Sequence, residues 1–330
     1  MSKPRVVIVS PAAAEANNGN WHTAARWQRF LAPVADARIM LAWHGEPADA
    51  LIALHARRSA DSIARYAAAR PDAPLALVLT GTDLYRDIDE DATTLHSLKC
   101  ASHAVVLQDG GLTRLDAATS AKTRVIVQSA SAVLAHDKPV RHVNLVAVGH
   151  LRDEKDPLTL MHAARLLPPD APIRIHHIGD ALDPAFGDAA RHTAAACPHY
   201  RWLGGLPRAR VRRWIARSHA LVHMSRMEGG ANVVIEAVRS LVPVLASRID
   251  GNVGLLGADY VGYFPVGDAR ALAALMQRFA VDNEFADALR EQCRAREARF
   301  EPAAEASSLR ALLADMLRGR PGGMQHALTQ

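Results

Sequence analysis

The feature that most constrains this chain is a period. Short β-branched apolar runs recur between alanine-rich stretches of helical character, and the alternation starts again after residue 143. In the first half the runs are "RVVIVS" (5–10), "ARIMLA" (37–42), "ALIALH" (50–55), "LALVLTG" (75–81), "HAVVLQ" (103–108) and "TRVIVQS" (123–129). In the second they are "VNLVAVGH" (143–150), "IRIHHIG" (173–179), "YRWLG" (200–204), "HALVHMS" (219–225), "VPVLAS" (242–247) and "VGYFP" (261–265). Strands alternating with helices indicate parallel α/β layers. The pattern predicts helices over 23–31, 59–70, 207–217, 231–240 and 268–280, and a helix capped by Asp156 with Pro157 at its first position. The last fifty residues read as helical, and the tail "GRPGGMQHALTQ" is expected to be disordered. Three segments are expected: a first domain over 1–138, a second over 139–300, and a C-terminal helix with its tail over 301–330, the helix packing back toward the first domain.

Composition narrows the class. A chain of 330 residues, 49% hydrophobic, suffices for two ordinary cores. No apolar run approaches the roughly 20 residues of a membrane span, and the N-terminus enters a strand directly, so a cytoplasmic protein is expected. Cys100, Cys197 and Cys293 are widely separated and lack zinc or disulfide spacing. The net charge of +5 comes from interleaved acids and bases with no basic block, which argues against a nucleic-acid partner. Only five of the 39 basic residues are lysine, and Lys155 is the last of them.

Parallel α/β domains bind ligands in the loops at the carboxyl ends of their strands. The first such loop, "EANNGNWH", offers Asn17, Asn18, Gly19 and Asn20 above a helix start, and it lacks the G-x-G-x-x-G fingerprint. "LHARRS" sets His55, Arg57 and Arg58 after another strand, as an anion pocket or a surface turn. "LTGTDLYRD" brings Thr80, Gly81, Thr82 and Asp83 to the same rim. The acids of "DIDED" (87–91) read as a solvated helix start rather than a metal site. In the second half Gly149 allows close backbone approach, and Arg152 and Lys155, three apart, suit a diphosphate. "MEGGANVVIEA" (227–237) places Glu228 on a loop and Glu236 about one turn into a helix. Gly229 and Gly230 lie between them, breaking any continuous helix. Carboxylates beside an anion seat suit sugar hydroxyls.

At these motifs the chain resembles the GT-B glycosyltransferases of the large retaining family four. The resemblance rests on "VGHLRDEKD", "HHIGD", "RWLGGLPRARVRRWIARSHALVHMS", "EGGANVVIEA", "ASRIDGNVGLL" and "GYFPVGD". It implies an α/β fold of two Rossmann-like domains facing across a cleft, the first for the acceptor and the second for a UDP-sugar donor. By this resemblance Glu228 binds the donor sugar, Glu236 the ribose, and Lys155 with Arg152 the diphosphate and the departing charge. The amides of Gly230, Ala231, Asn232 and Val233 assist. Gly149, His150, Gly229, Gly204 and Leu206, together with Gly19 and Asn20 of the first half, complete the donor set. Two departures stand out: His150 occupies the family's arginine position, and Thr80 replaces the histidine of H-G-[ST]-D. An acceptor alcohol would miss that histidine; an acceptor already anionic would not.

A narrower resemblance, carried by "PAAAEANNGNWHTAARW", "LIALHARRSADSIARY", "LTGTDLYRDI", "VGHLRDEKDPLT" and "SRMEGGANVVIEA", is to the selenosugar synthases of selenoneine biosynthesis (the SenB group). It implies transfer of the sugar of UDP-N-acetylglucosamine to selenophosphate with no metal required, and a functional link to an enzyme that makes selenophosphate. Asn20, Arg57, Arg58, Thr80, Gly81, Thr82 and Asp83 then become the expected selenophosphate seat. The alternative is a conventional family-four transferase acting on an alcohol or lipid.

Overall fold

A computed structural model of the chain describes residues 2–13, 18–133 and 136–318. The tail expected to be disordered lies outside them from residue 319, as does Asn17. The strands of the first half are β1 (Arg5–Val9), β2 (Asp36–Met40), β3 (Ala50–Leu54), β4 (Leu75–Leu79), β5 (His103–Val106) and β6 (Thr123–Val125). They form one parallel sheet in the order β2-β1-β3-β4-β5-β6. The second half supplies β7 (Val143–Val148), β8 (Ile173–Ile178), β9 (Tyr200–Trp202), β10 (Ala220–His223), β11 (Val244–Ser247) and β12 (Tyr263–Phe264). These form a second parallel sheet, ordered β12-β11-β10-β7-β8-β9.

The strands read as apolar runs because both faces of each sheet are covered. In β1, Val6 and Ile8 point into one core cluster and Val7 and Val9 into another, as the two-residue period of a strand requires. β3 divides likewise, Ala50, Ile52 and Leu54 on one face and Leu51 and Ala53 on the other. Helix Gly19–Leu31 buries Trp27 and Leu31 on the first face, and the last helix, Pro302–Arg318, adds Leu309, Leu312, Leu313 and Met316 to the same cluster. Glu305 fixes that docking. Buried among apolar side chains, it accepts from Arg26 Nε and Trp27 Nε1, each at 2.7 Å.

The chain divides into two compact units, residues 1–128 with 303–330, and residues 129–302. The division falls ten residues before the boundary expected at 138, since Ala130 and Ser131 are already held by the second unit. Arg212 donates to the Ser131 carbonyl, and the Ala130 amide donates to Phe300 O at 3.2 Å.

Several local expectations change. The first helix starts at Gly19 and not Thr23, because Asn18 Oδ1 accepts from the Trp21 amide and caps it. Asp156 precedes Pro157–Arg165 in a left-handed conformation (φ 46°), and its carboxylate accepts from the Thr159 hydroxyl at 2.7 Å rather than from a backbone amide. The acids at 87–91 are not uniformly solvated. Asp87 is buried, while Asp91 accepts from the Thr94 amide and caps helix Ala92–Cys100. Helices Pro184–Ala196 and Asp250–Leu256 also form. Among the described residues no helix is long and apolar enough to cross a membrane.

Candidate functional site

In an open parallel sheet the ligand crevice opens where the strand order reverses, since loops on either side leave in opposite directions. In the second sheet that point lies between β7 and β10, which are hydrogen-bonded neighbours. The loop after β7 carries Gly149 to Lys155; the loop after β10 carries Ser225 to Ala231. The topology therefore delivers the two sequence motifs to one place. Lys155 Nζ donates to Glu228 Oε1, joining residues 73 positions apart.

The surroundings of that pair are built closely. Gly149 faces the aliphatic stem of Lys155, and a Cβ there would lie 3.4 Å from Lys155 Cδ. Gly179 (φ 151°) permits the end of β8 to meet this loop, for a Cβ at Gly179 would sit 1.9 Å from Gly149 O. Glu228 is supported from the end of β10 and the loop after it: Ser225 Oγ donates to its Oε1 at 2.8 Å, and His223 Nε2 lies 3.5 Å from the same oxygen. Burial pushes the Glu228 carboxyl up, but the Lys155 ammonium and the His223 contact outweigh it and hold the group well below the ordinary carboxylate range. All these contacts use Oε1. Oε2 accepts from no described residue and stays open to a ligand's hydroxyl.

Glu236 is also accounted for. Helix Asn232–Arg239 follows Gly229 and Gly230, with Ala231 at its N-cap and no side-chain cap, so the Val233 amide takes no partner from a capping side chain. Glu236 lies one turn inside and buried, accepting at Oε1 from Arg208 Nη2 at 2.8 Å and Nε at 3.1 Å. Arg212 Nε stands 4.0 Å away. Of the two expected diphosphate cations, only Lys155 joins a motif glutamate. Arg152 precedes the turn Asp153–Lys155, and its Nε lies 3.7 Å from Glu154 Oε2. His150 accepts from the Asp180 amide at 3.2 Å, and Asp180 in turn accepts from the Gly205 amide at 3.0 Å, which ties the ends of β7, β8 and β9 together. Gly204 (φ 66°) turns the chain after β9, and Leu206 follows in that loop.

The first unit treats its polar residues differently. Asp83, expected to face an acceptor, is fully buried and committed to backbone: Oδ1 accepts from the Thr80 and Gly81 amides and Oδ2 from the Ala56 amide, each at 2.9 Å. It locks the loops after β3 and β4 to one another and leaves no oxygen for a substrate. Thr80 and Gly81 serve the same lock. Arg57 is exposed and pairs with Asp91 at 3.4 Å and Asp87 at 3.9 Å; Arg58 is exposed. Gly19 and Asn20 form the first helical turn, with Gly19 O accepting from the Thr23 hydroxyl. Thr82 is half-buried, and His55 Nε2 lies 2.9 Å from its Oγ1.

Sequence reasoning missed Arg208, Arg212, Ser225 and His223. The last two sit at the end of β10, and a polar pair closing an apolar strand just before a glutamate loop was the available signal. The arginines come from a distant helix, and no spacing reveals them.

Residues 135–296 match the family model described as glycosyl transferases group 1. Over 133 residues the chain is 29% identical to glycosyltransferase 1 domain-containing protein 1 of Xenopus tropicalis; the match spans 40% of this chain and 38% of the length of that relative. Among solved structures the fold is similar to sucrose-phosphate synthase from Thermosynechococcus elongatus (TM-score 0.77, 16% identity, 96% of this chain and 99% of that one). It is similar also to HepE from Anabaena, solved in complex with UDP-glucose (TM-score 0.72, 14% identity, 94% and 100%).

Proposed function

We propose that the protein is a glycosyltransferase moving the sugar of a UDP-sugar, UDP-N-acetylglucosamine, to selenophosphate, a reading supported by the match of residues 135–296 to the group 1 glycosyl transferase model and by the fold. The observation that carries the donor half is the Lys155–Glu228 pair at the β7/β10 switch point. In this reading Lys155, joined by Arg152, turns to the diphosphate, where a cation stabilises the leaving charge without a metal. Glu228 Oε2 accepts from a sugar hydroxyl, and Glu236 from the ribose. That HepE was solved with UDP-glucose supports a uridine nucleotide.

The acceptor half rests on sequence: the resemblance to selenosugar synthases, and Thr80 in place of the histidine of the H-G-[ST]-D pattern of family four. Selenium of selenophosphate attacks the anomeric carbon as the C–O bond to UDP breaks and UDP leaves with the electron pair. Water then cleaves the Se–P bond, releasing phosphate and the selenosugar. The test supplies UDP-N-acetylglucosamine with selenophosphate, or with alcohol and lipid acceptors, and measures UDP release. Release that depends on selenophosphate and persists in a chelator is expected; equal turnover with alcohols overturns the assignment.

A further inference from the structure

His55 is a buried residue of the first unit whose conformation needs explaining. It follows β3 with φ 71°, a left-handed conformation uncommon outside glycine, and is only 4% exposed. Its Nε2 lies 2.9 Å from Thr82 Oγ1. Its Nδ1 lies 3.8 Å from Asp83 Oδ2, beyond hydrogen-bond reach, and instead accepts from the Arg58 amide at 3.4 Å.

The arrangement resembles a histidine–aspartate base, but the proton is on the other nitrogen. A histidine acting as base holds its proton on the nitrogen facing the carboxylate and turns a bare nitrogen to the substrate. Here the Arg58 amide occupies Nδ1, so Nε2 carries the hydrogen and donates it to Thr82 Oγ1. Asp83 does not compete for that proton, because its oxygens are filled by the Ala56, Thr80 and Gly81 amides. Burial, the largest influence on His55, keeps the ring neutral against the pull of Asp83. With its oxygen accepting from His55, Thr82 is left with a hydroxyl hydrogen that meets no acceptor among the described residues. Thr82 is half-buried, so that hydrogen can point to solvent or to a bound anion.

Resting on the ionised acceptor proposed for this enzyme, we propose that Thr82, polarised from behind by His55, is the hydrogen-bond donor that selects an anionic acceptor, with His55 its positioning residue. A neutral donor of this kind binds an oxyanion and has no means of taking a proton from an alcohol. The pair therefore favours acceptors that arrive already deprotonated, selenophosphate or its sulfur analogue thiophosphate, and disfavours sugars and lipids bearing neutral hydroxyls.

Three measurements test this. Thr82→Val, which keeps the shape and removes the hydroxyl, is expected to raise KM for selenophosphate roughly tenfold, the loss of about one hydrogen bond to a charged group, and to leave KM for UDP-N-acetylglucosamine unchanged; Thr82→Ser restores it. His55→Asn tolerates the left-handed backbone, but its shorter amide does not reach Thr82, so it reproduces the Thr82→Val split. Nitrogen-15 shifts of His55 in the full chain place the proton on Nε2. An unchanged acceptor KM in Thr82→Val, or a proton found on Nδ1, overturns the inference while leaving the selenosugar activity of the wild-type enzyme standing. Absence of any wild-type turnover with selenophosphate overturns both.

Discussion

The ends of β3 and β4 in the first unit and the ends of β7 and β10 in the second are both carboxyl ends of hydrogen-bonded parallel neighbours, only the latter being the point where its sheet's strand order reverses, and their charges are spent in opposite ways. At β3/β4 the carboxylate of Asp83 is saturated by three backbone amides and the histidine beside it is buried. At β7/β10 the carboxylate of Glu228 keeps one oxygen open and holds a lysine whose cation has no second partner among the described residues. Saturated polar groups are scaffold, because removing one leaves buried donors unpaired. Groups with an unused oxygen or ammonium are available for a ligand. The two edges should therefore fail differently under mutation.

Lys155→Ala makes the largest expected change. Losing the cation that meets the leaving diphosphate should lower kcat by roughly 10³-fold, on the scale of one preorganised electrostatic contact in an active site. Glu228→Gln should lose activity comparably, since the amide replaces the acceptor offered to the sugar. Denaturant midpoints measured beside the kinetics should move little for Glu228→Gln and fall for Lys155→Ala, which takes away the cation that holds the buried Glu228 ionised, in each case alongside the kinetic loss. A large stability loss without a specific kinetic loss would make Glu228 scaffold as Asp83 is, and erase the contrast.

Asp83→Ala should give the reverse. It strands the amides of Ala56, Thr80 and Gly81 in a buried site, at about 1–3 kcal/mol for each unpaired group. A total near 3–5 kcal/mol is expected from urea unfolding, with a bound-state defect only as a consequence. Glu305→Ala should resemble it, since it removes the acceptor of the buried Arg26 Nε and Trp27 Nε1.

This asymmetry explains how much was legible beforehand. Strand runs and helix periods are local, so both sheets and nearly all their strands could be read from residues 5–265. Glu228, Gly229, Gly230 and Glu236 were legible because a loop glutamate, a helix-breaking pair and a helical glutamate are all set within one nine-residue stretch. The role of Asp83 was not. A carboxylate that lends its oxygens to amides looks in sequence like one that offers them to a substrate, and only the fold shows Ala56 beside it. The partners of Glu236 arrive from helix Arg208–Arg217, and the pairing of Lys155 with Glu228 spans 73 residues. Long-range partners depend on strand order, which a single sequence does not display.

A smaller effect tests the same contrast by pH. His177 on β8 is fully buried against Tyr200, with Nδ1 2.8 Å from the phenolic oxygen, and burial lowers its pKa from 6.5 to about 4. The folded state resists protonating it while the unfolded chain does not. Its contribution to stability is therefore complete above pH 6.5 and is lost as pH falls from 6.5 toward 4, by about 3 kcal/mol. Glu228, held low by Lys155, gives its stability above the ordinary carboxylate range and loses it only at still lower pH. Urea midpoints across pH 4–7 should fall on acidification in the wild type, and less steeply in His177→Phe. An identical slope in the two would assign the acid limb elsewhere.

The smallest effect belongs to Asp89→Ala. Its carboxylate pairs with Arg114 Nη2 at 2.7 Å, but the side chain is 63% exposed, so water and salt screen the pair. The loss should stay within about 0.5 kcal/mol, with kcat and both KM values unchanged. The literal D-x-D of Asp87-Ile88-Asp89 would suggest otherwise to a reader of the sequence. The structure divides it: Asp87 is buried and paired with Arg86 at 3.0 Å, whereas Asp89 faces solvent. Two carboxylates that diverge in this way do not share a cation. Turnover of the Asp89→Ala variant equal to wild type, with and without added magnesium, is the expected result, and a magnesium-dependent loss would restore the motif as a metal site in the first unit.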